Sequence, residues 1–135
     1  MSIKKSSIFV VAIVLIFTLV QVMSSGGNTM QLDMGTESIS FSGIDEFRYE
    51  VAYADITAAE LIEVTDWETY GGHEFGPYRV GEVSGADGSP YILFVTTRAD
   101  HAVVASLTDG RQVVFNYNSN SGTEGIYNML LNNID

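Results

Sequence analysis

The C-terminal part of the chain places a predicted β-hairpin directly before a predicted helix, and this order limits the available folds. Residues His101–Leu107 are mostly apolar, and the Asp-Gly pair within residues 108–111 tolerates the positive φ angles of a tight turn. Apolar and polar residues then alternate over 112–117, as in a half-buried strand. Ser121, followed three residues later by Glu124, predicts the N-terminal capping box of a helix.

The predicted helix has one apolar face. Four residues at helical spacing form it: Tyr127, Leu130, Leu131 and Ile134. A helix of about 13 residues is marginal alone in water, so this face is expected to pack on the preceding strands.

An apolar run of 16 residues, 8–23, follows Lys4 and Lys5 near the N-terminus. As a helix it would span about 24 Å, slightly less than the roughly 30 Å hydrocarbon core of a bilayer. Two interpretations are open. The length of the run favours an uncleaved membrane anchor over residues 1–23. The alternative is a signal peptide cut within residues 24–26, which would leave a secreted protein.

Under either interpretation the lysines hold the N-terminus in the cytoplasm and the remainder of the chain crosses the membrane. Residues 24–29 are then a short flexible linker, and residues 30–135 form the extracytoplasmic domain. The expected localisation is the membrane, with a single pass.

Charge is distributed unevenly along the chain. Four arginines and all 17 acidic residues follow the apolar run, so residues 24–135 carry a net charge of −13. Such a domain repels nucleic acid and anionic lipid headgroups, because binding them requires clustered Lys or Arg. Solubility alone is also a sufficient reason for an acidic surface. The chain has no cysteine, which rules out disulfides, thiolate metal sites and cysteine nucleophiles.

Further short segments with strand-like composition precede the C-terminal hairpin. They cover residues 30–34, 38–42, 47–53, 59–64, 79–84 and 91–97. The segment 59–64 also has helix-forming residues, but its neighbours favour a strand. Together with the terminal helix, these segments predict a mainly β domain, an antiparallel barrel or sandwich closed by the helix.

The segment 65–78 combines three glycines and a proline with several aromatic residues, and it is predicted to be a loop. Such a loop either folds back over the core, which we favour, or offers a binding surface. The candidate binding residues within it are Trp67, Tyr70, His73, Phe75 and Tyr78.

No pattern of catalytic residues stands out in the sequence, so a cofactor-free, non-enzymatic function is expected. The enzymatic alternative is a small metal-assisted hydrolase that uses His73 with Glu74 and Asp66. A third alternative is a small-ligand carrier that uses the barrel interior. Large residues argue that this interior is filled, among them Phe47, Tyr49 and Phe115.

The order of several short motifs resembles the bacterial pleckstrin-homology-like domains, and in particular the subset behind an N-terminal membrane segment. The resemblance covers roughly residues 30–134 and rests on residues 53–56, 78–81, 93–95, 108–116 and 125–130. It implies a strongly bent antiparallel barrel of about seven strands, capped at one end by the C-terminal helix. It implies no catalytic residues. The expected function is a membrane-tethered module that binds another protein.

Overall fold

The fold is mainly β with one C-terminal helix. A computed structural model describes residues 29–85 and 88–134, so the predicted anchor, residues 1–23, and most of the linker lie outside the described residues. The strands within them are β1 (Gln31–Met34), β2 (Ser38–Ile44), β3 (Phe47–Ala52), β4 (Ile56–Glu63), β5 (His73–Phe75), β6 (Tyr78–Ser84), β7 (Pro90–Thr96), β8 (His101–Leu107) and β9 (Gln112–Phe115); helix α1 spans Asn120–Asn133.

The strands form two sheets. The smaller sheet has the order β1-β2-β3, and the larger sheet has the order β4-β8-β9-β7-β6-β5. The resemblance implied about seven strands, all antiparallel. The described residues instead form nine strands, and β7 and β9 are paired in parallel. The predicted C-terminal hairpin is confirmed, because β8 and β9 are antiparallel neighbours across the turn at Gly110.

The main core lies between the inner faces of the two sheets. Phe41 of the small sheet contacts Phe94 and Phe115 of the large sheet, with ring centroids 5.1 Å apart in both pairs. Phe47 stacks on Phe94 at 5.6 Å. The expectation of a filled interior is confirmed for Phe115, which is buried, while Phe47 and Tyr49 are half-buried against the same cluster.

A second, smaller core covers part of the opposite face of the large sheet, which we call the outer face. Val64 and Trp67 pack there on residues from three central strands, namely Leu93, Val95, Ala102 and Val114. Because the central strands are covered on both faces, consecutive residues such as Ile92 and Leu93 are both buried.

Helix α1 packs against β4 and β8, and three residues of its predicted face, Tyr127, Leu130 and Ile134, lie against the main core. Its start and the placement of Leu131 differ from the prediction. The N-cap is Ser119, whose Oγ accepts a hydrogen bond from the N–H of Gly122 at 3.0 Å, so the predicted capping box at Ser121 is wrong. The buried residues of the helix are Thr123, Ile126 and Leu130. At 100° per residue they place Leu131 at the margin of the face, where it is 42% exposed.

Segment 65–78 is more regular than its glycines predicted. Trp67–Tyr70 forms a 3₁₀ helix, and β5 pairs with β6 as a short hairpin. The strand preferred for residues 59–64 is confirmed up to Glu63, where β4 ends, and β4 begins earlier, at Ile56. β2 also runs beyond the predicted end at Ser42, to Ile44.

The first described residue, Thr29, is attached to the small sheet by a backbone hydrogen bond. Thr29, the last residue of the predicted linker, is buried and donates its N–H to the carbonyl of Gly43 at 2.9 Å. Within residues 29–85 and 88–134, α1 is too short and too polar to be a membrane span, and no other helix qualifies.

Candidate ligand-binding groove

The outer face of the large sheet carries an open groove of about 850 Å³, which we call the outer groove. The 3₁₀ helix Trp67–Tyr70 forms one wall. On the opposite side the groove is lined by Gly110, which follows β8, and by Gly85 and Ser89 between β6 and β7. The complete lining is Glu60, Ile62, Glu68, Thr69, Tyr70, Gly71, Val83, Ser84, Gly85, Ser89, Tyr91, Val104, Gly110, Gln112 and Val114.

The floor of the groove arises from the alternation of side chains along five adjacent strands. Val104 of β8 lies opposite Val114 of β9 and opposite Glu60 of β4. Tyr91 of β7 lies opposite Gln112 of β9 and Val83 of β6. These residues therefore project from the same face, and the centre of the floor is apolar.

The 3₁₀ wall is held by local hydrogen bonds and by its tryptophan. The carboxylate of Asp66 accepts the N–H of Glu68 at 3.0 Å, and the hydroxyl of Thr69 donates to the Asp66 carbonyl at 2.8 Å. Trp67 is only 7% exposed, and its Nε1–H donates to the carbonyl of Ala99 at 2.9 Å. The wall is thereby fixed to the turn between β7 and β8.

Two tyrosines join the wall to the floor. The hydroxyl of Tyr91 donates a hydrogen bond to the carbonyl of Tyr70, and the two rings meet edge to face at 6.2 Å. Burial, and then the neighbouring Tyr70, raise the pKa of Tyr91 above its ordinary value. The hydroxyl is a neutral donor at physiological pH, and the raised pKa extends this hydrogen bond to more alkaline pH.

Glycine is required where the chain leaves the wall and crosses the sheet. Gly72 has φ +81°, and a Cβ added to it would lie 2.9 Å from Cδ2 of Leu93 and 3.2 Å from the carbonyl oxygen of Val80. A side chain at this position would lift the wall from the floor.

The rims of the outer groove are acidic. Glu60 and Glu68 are exposed, and among its described lining residues none is Lys, Arg or His. Two arginines of the domain are paired with carboxylates, Arg79 with Glu74 and Arg111 with Asp109. Arg79 does not line the groove, although its Nη1 also donates to the carbonyl of the lining residue Gly71 at 3.2 Å. The groove therefore combines an apolar centre of its floor with edges that are mainly polar and carry negative charge.

The structure separates the five predicted binding residues. Tyr70 lines the outer groove, and Trp67 packs behind it in the second core, with their rings 5.3 Å apart. Tyr78 is buried in the main core and Phe75 is half-buried against it, while His73 is exposed on β5. They do not form one aromatic surface, and the segment folds back over the domain.

The geometry gives the metal-assisted hydrolase no support. His73 and Glu74 are neighbours on β5, where successive side chains point to opposite faces of the sheet. The carboxylate of Glu74 accepts a hydrogen bond from Arg79 at 3.0 Å, and the carboxylate of Asp66 caps the 3₁₀ helix. Within the described residues, no group of three His, Cys, Asp or Glu side chains converges as metal ligands would.

No protein-family model, curated protein or solved structure matches this chain. Membership of the pleckstrin-homology-like family therefore stays a prediction from the motifs.

Proposed function

We propose that this chain is a non-enzymatic binding module, tethered to a membrane through residues 1–23, that binds another protein in the outer groove outside the cytoplasm. The single observation that supports this proposal is the apolar floor of the groove, which the second core leaves uncovered. Ile62, Val83 and Val104 are only partly buried there, although they lie on a sheet face that is otherwise packed.

Partner binding would bury this floor, and removing apolar surface from water favours association. The hydrogen bonds of Trp67 and Tyr91 hold the wall in place before any ligand arrives. A preformed groove loses less conformational entropy on binding than a mobile loop would.

The membrane tether, the extracytoplasmic location and the pleckstrin-homology-like barrel belong to the same proposal and rest on the sequence. Lys4 and Lys5 before the apolar run support the orientation. The net charge of −13 over residues 24–135 argues against nucleic acid and anionic lipid headgroups as ligands, which leaves protein as the favoured partner.

The proposal is tested by photocrosslinking of the full chain in membranes. A photoreactive amino acid replaces Thr69 on the 3₁₀ wall or Gln112 on the floor of the outer groove, both of which are exposed. In matched controls it replaces Glu46 or Ala54, which are exposed elsewhere. We expect the same discrete protein adduct from both groove positions and from neither control position.

A substitution in the floor provides the second arm of the experiment. Val104→Asp places a charge in the apolar floor and is expected to reduce the adduct at least tenfold while the near-ultraviolet circular dichroism stays unchanged. Equal adducts from groove and control positions, or none from the groove positions, would contradict the proposal.

A further inference from the structure

We infer that the ligand of the outer groove is an extended, cationic and apolar peptide segment of about six residues, with alternate aliphatic side chains on the floor and Lys or Arg at the acidic rims. This inference rests on the proposed function and specifies the chemistry of the partner. It follows from the charge of the rims, the span of the floor across the strands and its width along them.

Charge complementarity decides the class of partner. The described lining offers the carboxylates of Glu60 and Glu68 and no cationic group. A second copy of this chain would bring a domain of net charge −13 against these carboxylates, and like charges across an interface oppose association. A cationic segment instead gains from the acidic field around the whole domain, which also speeds its encounter with the groove.

The span of the groove sets the length of the segment. The lining extends from Glu60 and Ile62 on β4 across the central strands to Val83 and Ser84 on β6. Five adjacent strands at about 4.8 Å spacing cover about 19 Å, which equals about six extended residues at roughly 3.3 Å each. Three alternate side chains of such a segment would face the floor.

The width of the floor selects an extended segment over a helix. On β9 the lining runs only from Gln112 to Val114, about 7 Å along the strand, between the turn at Gly110 and the 3₁₀ wall. An α-helix with side chains is about 10–12 Å across and would rest on the walls without reaching Val104. An extended chain reaches the floor.

The test measures binding of fluorescein-labelled synthetic hexapeptides to the full chain in lipid nanodiscs by fluorescence anisotropy. The probes are Lys-Val-Arg-Val-Lys-Val, its neutral counterpart Ser-Val-Ser-Val-Ser-Val and its acidic counterpart Glu-Val-Glu-Val-Glu-Val. We expect saturable binding of the cationic peptide, at least tenfold tighter than that of the neutral peptide, and no binding of the acidic peptide.

Reversing the charge of the rim residues tests whether their carboxylates cause the preference for the cationic peptide. In the double variant E60K/E68K the cationic peptide should bind at least tenfold more weakly, and the acidic peptide should gain binding. The matched variant E37K/E46K makes the same change of net charge at exposed positions outside the groove, and it should weaken the cationic peptide less than threefold.

The outcomes separate this inference from the proposed function. If both double variants lose the same affinity for the cationic peptide, the peptide is attracted by the net charge of the whole domain and not by the groove. If the neutral or acidic peptide binds the unmodified chain as tightly as the cationic peptide or more tightly, the groove takes another class of ligand. Either result overturns the inference, as does a failure of all three peptides, even when the groove positions crosslink a partner. Absence of the groove-specific adduct contradicts the proposed function itself.

Discussion

The indole N–H of Trp67 donates a hydrogen bond to the carbonyl of Ala99 at 2.9 Å, and this contact joins the wall of the outer groove to the turn between β7 and β8. The ring lies against the second core and the ring of Tyr70. Trp67 therefore shapes the groove through its burial, so this candidate binding residue has a structural role.

Replacement of Trp67 should destabilise the domain. Trp67→Ala removes a buried ring and its hydrogen bond, so we expect the free energy of unfolding to fall by about 3–5 kcal/mol. Trp67→Phe keeps most of the packing but leaves the Ala99 carbonyl without its donor, for a loss of about 1–2 kcal/mol. Urea denaturation of the full chain, followed by circular dichroism, measures both. Unchanged stability of Trp67→Ala would contradict the structural role.

The sequence predicted the elements whose signals are local. The Asp109-Gly110 pair defines the β8–β9 hairpin by its own turn chemistry, and the neighbouring strands correctly favoured a strand over a helix for residues 59–64. The helix and three residues of its packed face, Tyr127, Leu130 and Ile134, were predicted, but its N-cap and the burial of Ile126 were not. Serine is a good N-cap residue at either 119 or 121, so local sequence does not choose between the two positions.

The outer groove could not be predicted in the same way. Its floor joins residues from five strands, and the order β4-β8-β9-β7-β6 that brings Ile62 and Val83 to one face is set by long-range pairing. One signal was available: Ile92–Val95 and Val113–Phe115 are apolar at consecutive positions, which is typical of strands covered on both faces. That pattern predicts a second packed face, although it does not locate the opening in it.

The side chain of Asn116 extends the parallel pairing of β7 and β9 beyond the end of β9. Removing its amide group should lower the free energy of unfolding. Its Oδ1 accepts the N–H of Thr96 at 2.8 Å, and its Nδ2 donates to the Thr96 carbonyl at 2.9 Å, with both residues fully buried. Asn116→Ala leaves two buried backbone groups without partners, so we expect a loss of about 2–4 kcal/mol in the free energy of unfolding, measured by urea denaturation. A loss below about 1 kcal/mol would contradict this account.

Tyr53 should make stability depend on alkaline pH. Its hydroxyl donates to the carbonyl of Gly35 at 2.8 Å, and burial, followed by the charge of Asp33, raises the pKa of Tyr53 to about 12. The folded state therefore favours the neutral phenol, so this contribution is fully present below pH 10 and is lost as the pH rises towards 12.

Tyr53→Phe isolates that effect from the other tyrosines. At pH 8 the variant should lose about 1 kcal/mol through the missing hydrogen bond. Its free energy of unfolding should fall less than that of the unmodified chain between about pH 10 and pH 12, because no buried phenol is left to ionise at this position. Identical pH profiles for the two proteins, measured by urea denaturation at each pH, would refute the prediction.

A pair of glycine substitutions tests the close approach of the wall to the floor. Gly72 and Gly76 both have positive φ, but only at Gly72 would a Cβ meet the Leu93 side chain and the Val80 carbonyl. Gly76→Ala should cost about 1–2 kcal/mol through backbone strain alone. Gly72→Ala should lower the free energy of unfolding by about 1–3 kcal/mol more than Gly76→Ala, because the added methyl group overpacks the contact. Thermal unfolding measures both variants. Equal losses would show that the wall does not approach the floor closely at Gly72.

The most direct test of the outer groove as the binding surface is methyl nuclear magnetic resonance of the full chain in nanodiscs, with isotope-labelled Ile and Val, during titration with Lys-Val-Arg-Val-Lys-Val. We predict that the methyl signals of Ile62, Val83 and Val104 on the floor shift progressively and saturate together. The methyl signals of Ile39 and Val51 in the core of the small sheet should stay in place. Shifts confined to the small sheet, or no movement of the floor signals at saturating peptide, would contradict the account.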